Sequence, residues 1–449
     1  MPTKQYTPTG EPNHAEKTER LQELIETITE EVTQETRFVQ RTSKLNGVGF
    51  VKLMVLGNNL ERSQASLNDL SQVSRDLGIS ITGPGINQRI HQEAVALLEG
   101  VFARTLQHLS PSDSERAAIL DRFPQVHIVD STQVSLPEAL QEYYAGSGGS
   151  ASSSQMKIHL AYEYRSGLFE AIEMTAGKCP DQNSDLPERL ATAGSLALFD
   201  LGYFKIQRLA MLHANQAYFV SRFQTQTGLY FQENALTKID LLSTLKKLPC
   251  QEGEFNAYLG SKQRIPVRII YQQVPEEVAA ERRRKSRRAL GKKGKIPSKL
   301  HLALLGWTIF ITNVAPEILS TQQVRVVYGV RWQAEIVFKV WKSNAGLAHI
   351  GHWRIERLLC QLYARLIVLV VFQWLAAPYR FCDQSELSLS RAFRVFQRYA
   401  LRIIDAIADG WVSMPLILRN IETDFLSFAC MTHRIKHPST YRSLSIIGL

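Results

Sequence analysis

The sequence is poor in every feature that would make it a secreted, metal-clipped or membrane-spanning chain. Its five cysteines, Cys179, Cys250, Cys360, Cys382 and Cys430, are scattered with no C-x-x-C pair, which argues against a disulfide framework and against a zinc site. They read as reduced thiols. The longest apolar stretch, Leu366 to Ala377, is interrupted by Gln373 and falls short of the roughly eighteen residues of a membrane span, so it reads as a buried helix. The amino terminus, MPTKQYTPTGEPNHAEK, has no apolar run behind a basic segment, so no secretory signal is expected and the protein is expected in the cytoplasm. No internal repeat is visible. Acidic charge is the minority sign: 42 Asp and Glu stand against 52 Lys and Arg, a net charge of +10, and such a surface attracts polyanions, nucleic acid foremost. What remains is a globular composition, 45% hydrophobic and 21% charged. At about 150 residues per domain, 449 residues make two to four modules.

Residues 14 to about 107 read as helical, with Leu21, Leu24, Ile25 and Ile28 at helical spacing. Ser66 with Asp69 predicts a capping box opening a helix Leu67 to Leu77, and Gly78 is its expected stop. A further helix is expected after Thr82-Gly-Pro-Gly. Its first turns carry Asn87, Gln88, Arg89, His91 and Gln92, which suit either base edges in a major groove or a solvated polar face. From Gln125 the pattern changes to short strand-like runs, VHIVD, MKIHLAYEYR and LFEAIEMTAG. Between the first two lies YYAGSGGSASSSQ, whose Gly and Ser content predicts a flexible surface loop. A helical segment, the strand SLALF ended by Asp200, a helix and the strand AYFVSRF follow. Residues 224 to about 306 read as a β-rich insertion, and ten of the residues from Arg282 to Lys299 are Lys or Arg. That run is either a phosphate-neutralising surface or a solvated basic helix or loop. The strand WTIFITNV returns to the α/β pattern, and from Ser320 the chain is largely helical.

Asp130 ends the apolar strand VHIV and Asp200 ends SLALF, where Gly202 lets the backbone turn closely. Either aspartate alone is as well explained as a turn-former or helix cap; two at strand ends are a candidate pair. Read as one helix, Val324 to Ser343 places Val327, Val330, Ala334, Val337 and Trp341 on one apolar face. Tyr328, Arg331, Glu335 and Lys342 then fall within an arc of roughly 60° beside it. That stripe is either a cleft wall or, at Arg331 and Glu335, an ordinary i,i+4 ion pair. Three carboxylates among cations would suit hard divalent ions acting on a phosphodiester.

At these residues the sequence resembles the DDE transposases of bacterial insertion sequences, specifically the group marked by Y-x2-R-x3-E-x6-K and often called the IS-four type. The match is Tyr328, Arg331, Glu335 and Lys342, with Asp130 in Asp-Ser-Thr and Asp200 in Asp-Leu-Gly-Tyr. It extends from about Val126 to Lys342. The resemblance implies an α/β fold with an RNase H-like catalytic core interrupted by a β-rich insertion, flanked by helical N-terminal and C-terminal regions. The expected division is 1–110 as a helical DNA-binding domain, 120–223 and 307–350 as the two parts of the core, 224–306 as the insertion with its basic segment, and 351–449 as a helical region for dimerisation. It implies Asp130, Asp200 and Glu335 as catalytic and metal-holding residues for Mg2+ or Mn2+, two ions per site. Tyr328, Arg331 and Lys342 are implied as DNA contacts. Trp307 is the candidate to stack a flipped base if a hairpin end forms, or else a core aromatic. Arg282, Arg283, Arg284, Lys285 and Arg89 complete the expected DNA contacts. The implied partners are duplex DNA, as transposon-end inverted repeats and target, and a second copy of the chain, with no membrane and a place at the nucleoid. The implied activity is cut-and-paste movement of an insertion sequence, and the alternative is an inactive or domesticated DNA-binding descendant. Lys157 and His159 share a face of the second strand but stay outside the catalytic set.

Overall fold

Most of the alternating and apolar runs form strands where the pattern places them; the run HLALLGW in the expected β-rich insertion does not, because Ser298 caps a helix, Lys299–Leu304, that takes its first four residues. In chain order the strands are β1 (Val126–Ser135), β2 (Gln155–Glu163), β3 (Leu168–Ala176), β4 (Leu196–Phe199), β5 (Tyr218–Arg222), β6 (Leu229–Tyr230), β7 (Glu252–Leu259), β8 (Ile265–Gln273) and β9 (Trp307–Thr312). The computed structural model describes residues 13–39, 44–58, 65–110, 120–148, 152–292, 294–382, 385–432 and 439–449. The chain folds as two units, one of residues 1–117, 131–179 and 333–439, the other of residues 118–130, 180–332 and 440–449.

The second unit is built on a sheet of order β1-β4-β5-β9-β8-β7-β6. β1 pairs with β4, and β4 with β5, in parallel, and helix Ile206–Ala214 makes the crossover between β4 and β5. All four residues of β4 are buried, which is why it reads as a continuous apolar run and not as an alternation. The remaining pairs are antiparallel. Within residues 224–306, expected to be β-rich, the hairpin β7–β8 joins this same sheet, with Arg268 opposite Thr312 and Gln273 opposite Trp307. The segment also contains helices Leu241–Lys247, Glu276–Gly291 and Lys299–Leu304. The basic run is helical as far as Gly291 because Glu, Ala and Arg are strong helix formers, with Pro275 at the cap and Glu276 and Glu277 in the first turn.

The first unit contains the N-terminal helices, the antiparallel hairpin β2–β3 and the helices that follow residue 333. The capping box of Ser66 and Asp69 forms, opening helix Leu67–Asp76, and Gly78 beyond it takes φ +73°, the left-handed turn expected of a glycine stop. The helix expected after Thr82 is two helices. Gly83–Arg89 ends where Ile90 turns extended, and the next begins at Gln92. Arg354 secures the break, donating to the Asn87 side chain at 3.4 Å and to the Ile90 carbonyl at 2.9 Å, so Asn87 is engaged within the protein. The expected Gly/Ser loop has anchored ends. Ala145 bridges to Ser154, and the Ser154 hydroxyl donates to the Tyr144 carbonyl; residues 149–151 lie outside the described residues.

Helix Ile355–Ala376 contains the apolar stretch read from the sequence. It is long and apolar enough to cross a membrane, yet 89% of its apolar window is buried inside the fold. Arg365 is carried fully buried on this helix and donates to the Ala345 carbonyl at 2.6 Å. A small antiparallel sheet, β10 (Phe381–Cys382), β11 (Ser385–Leu387) and β12 (Cys430–Thr432), had no counterpart in the sequence reading.

Candidate active site

The register of the parallel pair β1–β4 sets Val129 opposite Phe199. The next residue after each is an aspartate, so by the alternation of extended chain Asp130 and Asp200 leave on the same side. Asp130 does not end its strand as expected: β1 runs on to Ser135, and only the pairing with β4 stops at Val129, whereas Asp200 lies just past the end of β4. Asp200 keeps an extended backbone and caps a short 3-10 turn, Leu201–Tyr203, receiving the Tyr203 amide on its carbonyl. Gly202 in that turn lies close against Asp181. A Cβ there would lie 2.6 Å from the Asp181 carboxylate, so a side chain at this position would displace Asp181.

Tyr328, on helix Thr321–Gly329, and Arg331, two residues past its end, reach the same part of the second unit; a second capping box, Ser320 with Gln323, starts that helix at a defined residue. The Arg331 guanidinium meets the Asp130 carboxylate at 2.5 Å, each side chain only 14% exposed. The phenol of Tyr328 is pushed up to about 12 by burial and then by the charge of Asp200, against the pull of Arg331 and Arg222. Arg222, the last residue of β5, stands opposite Phe310 in the antiparallel pair with β9. Sequence reading passed over it. Its only signal was an arginine at the end of the apolar strand AYFVS, beside a strand that carries an aspartate at the same end.

The signature segment is not the single helix expected over Val324 to Ser343. It stops at Gly329 and restarts as helix Trp332–Lys339, and its last turn, Val340–Asn344, widens to a π-turn. In the gap the amides of Val330 and Arg331 bond three residues back, to the carbonyls of Val327 and Tyr328. Two causes converge there: glycine is a poor helix former, and Arg331 is held by Asp130. The apolar face survives the break, with Val327, Val330 and Ala334 at 0%, Val337 at 2% and Trp341 at 1% exposure, so the burial pattern was legible although the helix was not continuous.

Glu335 and Lys342 belong to the first unit, both half-buried. Their helix is anchored there by Trp341, whose ring meets Phe169 and Phe338 edge-on at 5.4 and 5.6 Å. Burial holds the Lys342 ammonium below its ordinary pKa. In kind, the carboxylates are the hard oxygen donors that Mg2+ or Mn2+ prefers. Within the second unit one Asp130 oxygen is bonded to Arg331, and among the described residues no three His, Cys, Asp or Glu side chains are grouped to hold an ion.

The other expected DNA contacts divide by how the protein uses them. Arg282 donates to the Trp307 carbonyl at 3.3 Å and the Thr308 hydroxyl at 3.1 Å, tying helix Glu276–Gly291 to β9. Burial and the nearby Arg222 lower its pKa. Arg283 donates to the Leu302 carbonyl and pairs with Glu276. Arg284 and Lys285 are exposed and pair with Glu281 on the same helix. Trp307 is half-buried against Tyr271, ring centroids 6.1 Å apart. Arg89 is half-buried on the short helix Gly83–Arg89. Lys157 and His159 are buried and bonded inside the first unit, to the Cys179 carbonyl and the Thr175 hydroxyl.

Residues 121–371 match the family described as the transposase DDE domain. The transposase for insertion sequence element IS231C of Bacillus thuringiensis subsp. berliner is 30% identical over 375 residues, 79% of this chain and 78% of the relative. That of IS231E, from Bacillus thuringiensis subsp. finitimus, is 30% identical over 459 residues, 95% and 94% of the two chains. The transposase of IS1151 from Clostridium perfringens is 27% identical over 446 residues, 93% of each. Among solved structures, a piggyBac transposase synaptic complex with hairpin DNA aligns over 94% of this chain and 87% of that chain, with TM-score 0.49 and 9% identity, a likeness too weak to argue from.

Proposed function

The chain belongs to the family of the transposase DDE domain, and from that premise we propose that it moves an insertion sequence by cutting and pasting DNA, with Asp130, Asp200 and Glu335 as its catalytic carboxylates. The observation that carries this reading is the pair of aspartates that directly follow the last paired residues, Val129 and Phe199, of two neighbouring parallel strands, with Arg331 and Tyr328 brought to them from a segment of distant sequence. The parallel strands β1, β4 and β5 and the antiparallel hairpin β2–β3 support an RNase H-like core.

In this reading Tyr328, Arg331, Arg222 and Lys342 hold phosphates beside the scissile bond. Arginine suits that task because its planar fork matches two phosphate oxygens at once. Mg2+ or Mn2+, two ions per site, is the cofactor the reading calls for. Transposon-end inverted repeats and target DNA are the substrates, and a second copy of the chain on the paired ends is the expected partner.

The test is cleavage of a duplex carrying the element's terminal inverted repeats by the purified full chain in Mg2+. Strand breaks are expected. Glu335→Gln is expected to abolish them while DNA binding, measured by gel shift, stays near native. Undiminished cleavage by that variant would overturn the site assignment, and a native chain that binds the ends without cutting them would favour a domesticated DNA-binding protein.

A further inference from the structure

Arg331 has two claims on it. In the fold it is bonded to Asp130, and in the proposed reaction, on which this inference rests, it holds a DNA phosphate. We propose that these are two states of one device: Arg331 latches the Asp130 carboxylate in the chain on its own, excluding a divalent cation until a DNA phosphate takes the guanidinium away.

Three observations and one chemical likeness support the latch. The pair is close, 2.5 Å, and both partners are only 14% exposed, so solvent screens it little. Asp130 and Asp200 follow directly on the paired residues Val129 and Phe199, where two neighbouring carboxylates would repel, and the guanidinium offsets the charge of Asp130. Carboxylate and phosphate present the same two-oxygen edge to an arginine, so the exchange replaces one charge-assisted fork with another. Finally, Arg331 lies in the two-residue interruption of the helix, where its amide is bonded three residues back instead of four, so its backbone is outside the regular ladder that would fix its direction.

The consequence is order. Metal binding at Asp130 follows DNA binding, and the carboxylates are kept from an ion when no DNA is present. By linkage, whatever favours the released state favours metal and DNA together.

The test is Mn2+ binding by the full chain, read from loss of the free-ion paramagnetic resonance signal with no DNA present. Arg331→Met is expected to bind Mn2+ about ten-fold tighter than the native chain, the scale on which a neighbouring cation competes for a carboxylate. Arg331→Lys, which keeps a cation at the position, is expected to stay near native and to report any loss that comes from misfolding alone. The double variant Asp130→Asn with Arg331→Met is expected to lose the gain. In the native chain, a short generic duplex should raise Mn2+ uptake beyond that of the duplex itself. Equal Mn2+ affinity for the native chain and Arg331→Met would overturn the latch, and so would a gain that persists without Asp130. Failure of the active-site reading shows separately, as native cleavage by Asp130→Asn.

Discussion

The rings of Phe310 and Tyr328 pack with centroids 5.0 Å apart and planes inclined at 54°, fastening helix Thr321–Gly329 to strand β9 at the residue whose hydroxyl feels the charge of Asp200. Burial and that charge raise the phenol from its ordinary 10 to about 12. The folded chain therefore keeps a proton there that the unfolded chain gives up. Stability from this group is fully present below pH 10 and is lost as pH rises toward about 12. Across that window the loss should reach about 2 to 3 kcal/mol, from two units at about 1.4 kcal/mol each. Tyr328→Phe should flatten the alkaline limb by that amount in urea unfolding run between pH 9 and 12. An unchanged limb would mean that the phenol titrates as in water.

How much of this was legible in the sequence depends on how far each cause reaches along the chain. VHIVD, SLALF and AYFVSRF declared themselves because a buried strand needs an apolar run, and Val327, Val330, Ala334, Val337 and Trp341 because a packed helix needs a stripe. The interruption at Val330 and Arg331 did not. Its local cause, one glycine, has a cost of about 1 kcal/mol that many helices absorb, and its other cause, Asp130, lies 201 residues away. Arg222 was missed for the same reason, since its place near Tyr328 follows from strand pairing that no local pattern records. The basic run gave its charge but not its division of labour, because composition cannot show which arginines a neighbouring carbonyl already holds.

Trp341 anchors the helix that presents Glu335, buried between Phe169 and Phe338. Trp341→Ala leaves a cavity at 1% exposure and should cost about 3 to 5 kcal/mol. The urea midpoint should fall with little change in slope. Where the variant remains folded, DNA cleavage should fall further than DNA binding, because the helix that carries Glu335 has lost its support. Equal losses in both would mean that Trp341 supports the fold as a whole.

Gly329 offers a test of the helix interruption. A Cβ there would meet nothing within 4 Å, so Gly329→Ala carries no steric penalty and gains up to about 1 kcal/mol of helix propensity. The variant should melt higher. It should also cleave less, because an uninterrupted helix would turn the Arg331 guanidinium away from the position it holds now. A higher melting temperature with native cleavage would show that the interruption has no part in the reaction.

The basic helix Glu276–Gly291 separates arginines that hold the protein together from those open to a polyanion. Arg282 and Arg283 are bonded to Trp307, Thr308 and Leu302. Arg287, Arg288, Lys292 and Lys295 are exposed, and among the described residues no carboxylate pairs with them. Each phosphate neutralised on duplex DNA steepens the dependence of log affinity on log salt by about 0.9. Replacing Arg287, Arg288 and Lys292 together by Ala should therefore lower that slope by about 2 to 3, with the melting temperature near native. Arg282→Ala should act in the other direction, losing about 1 to 3 kcal/mol of stability with its hydrogen bonds to β9 and leaving the salt slope almost unchanged. Fluorescence anisotropy of a labelled duplex across a salt series, beside thermal melts of both variants, separates the two roles. A flat slope change in the triple variant would move the DNA path away from this helix.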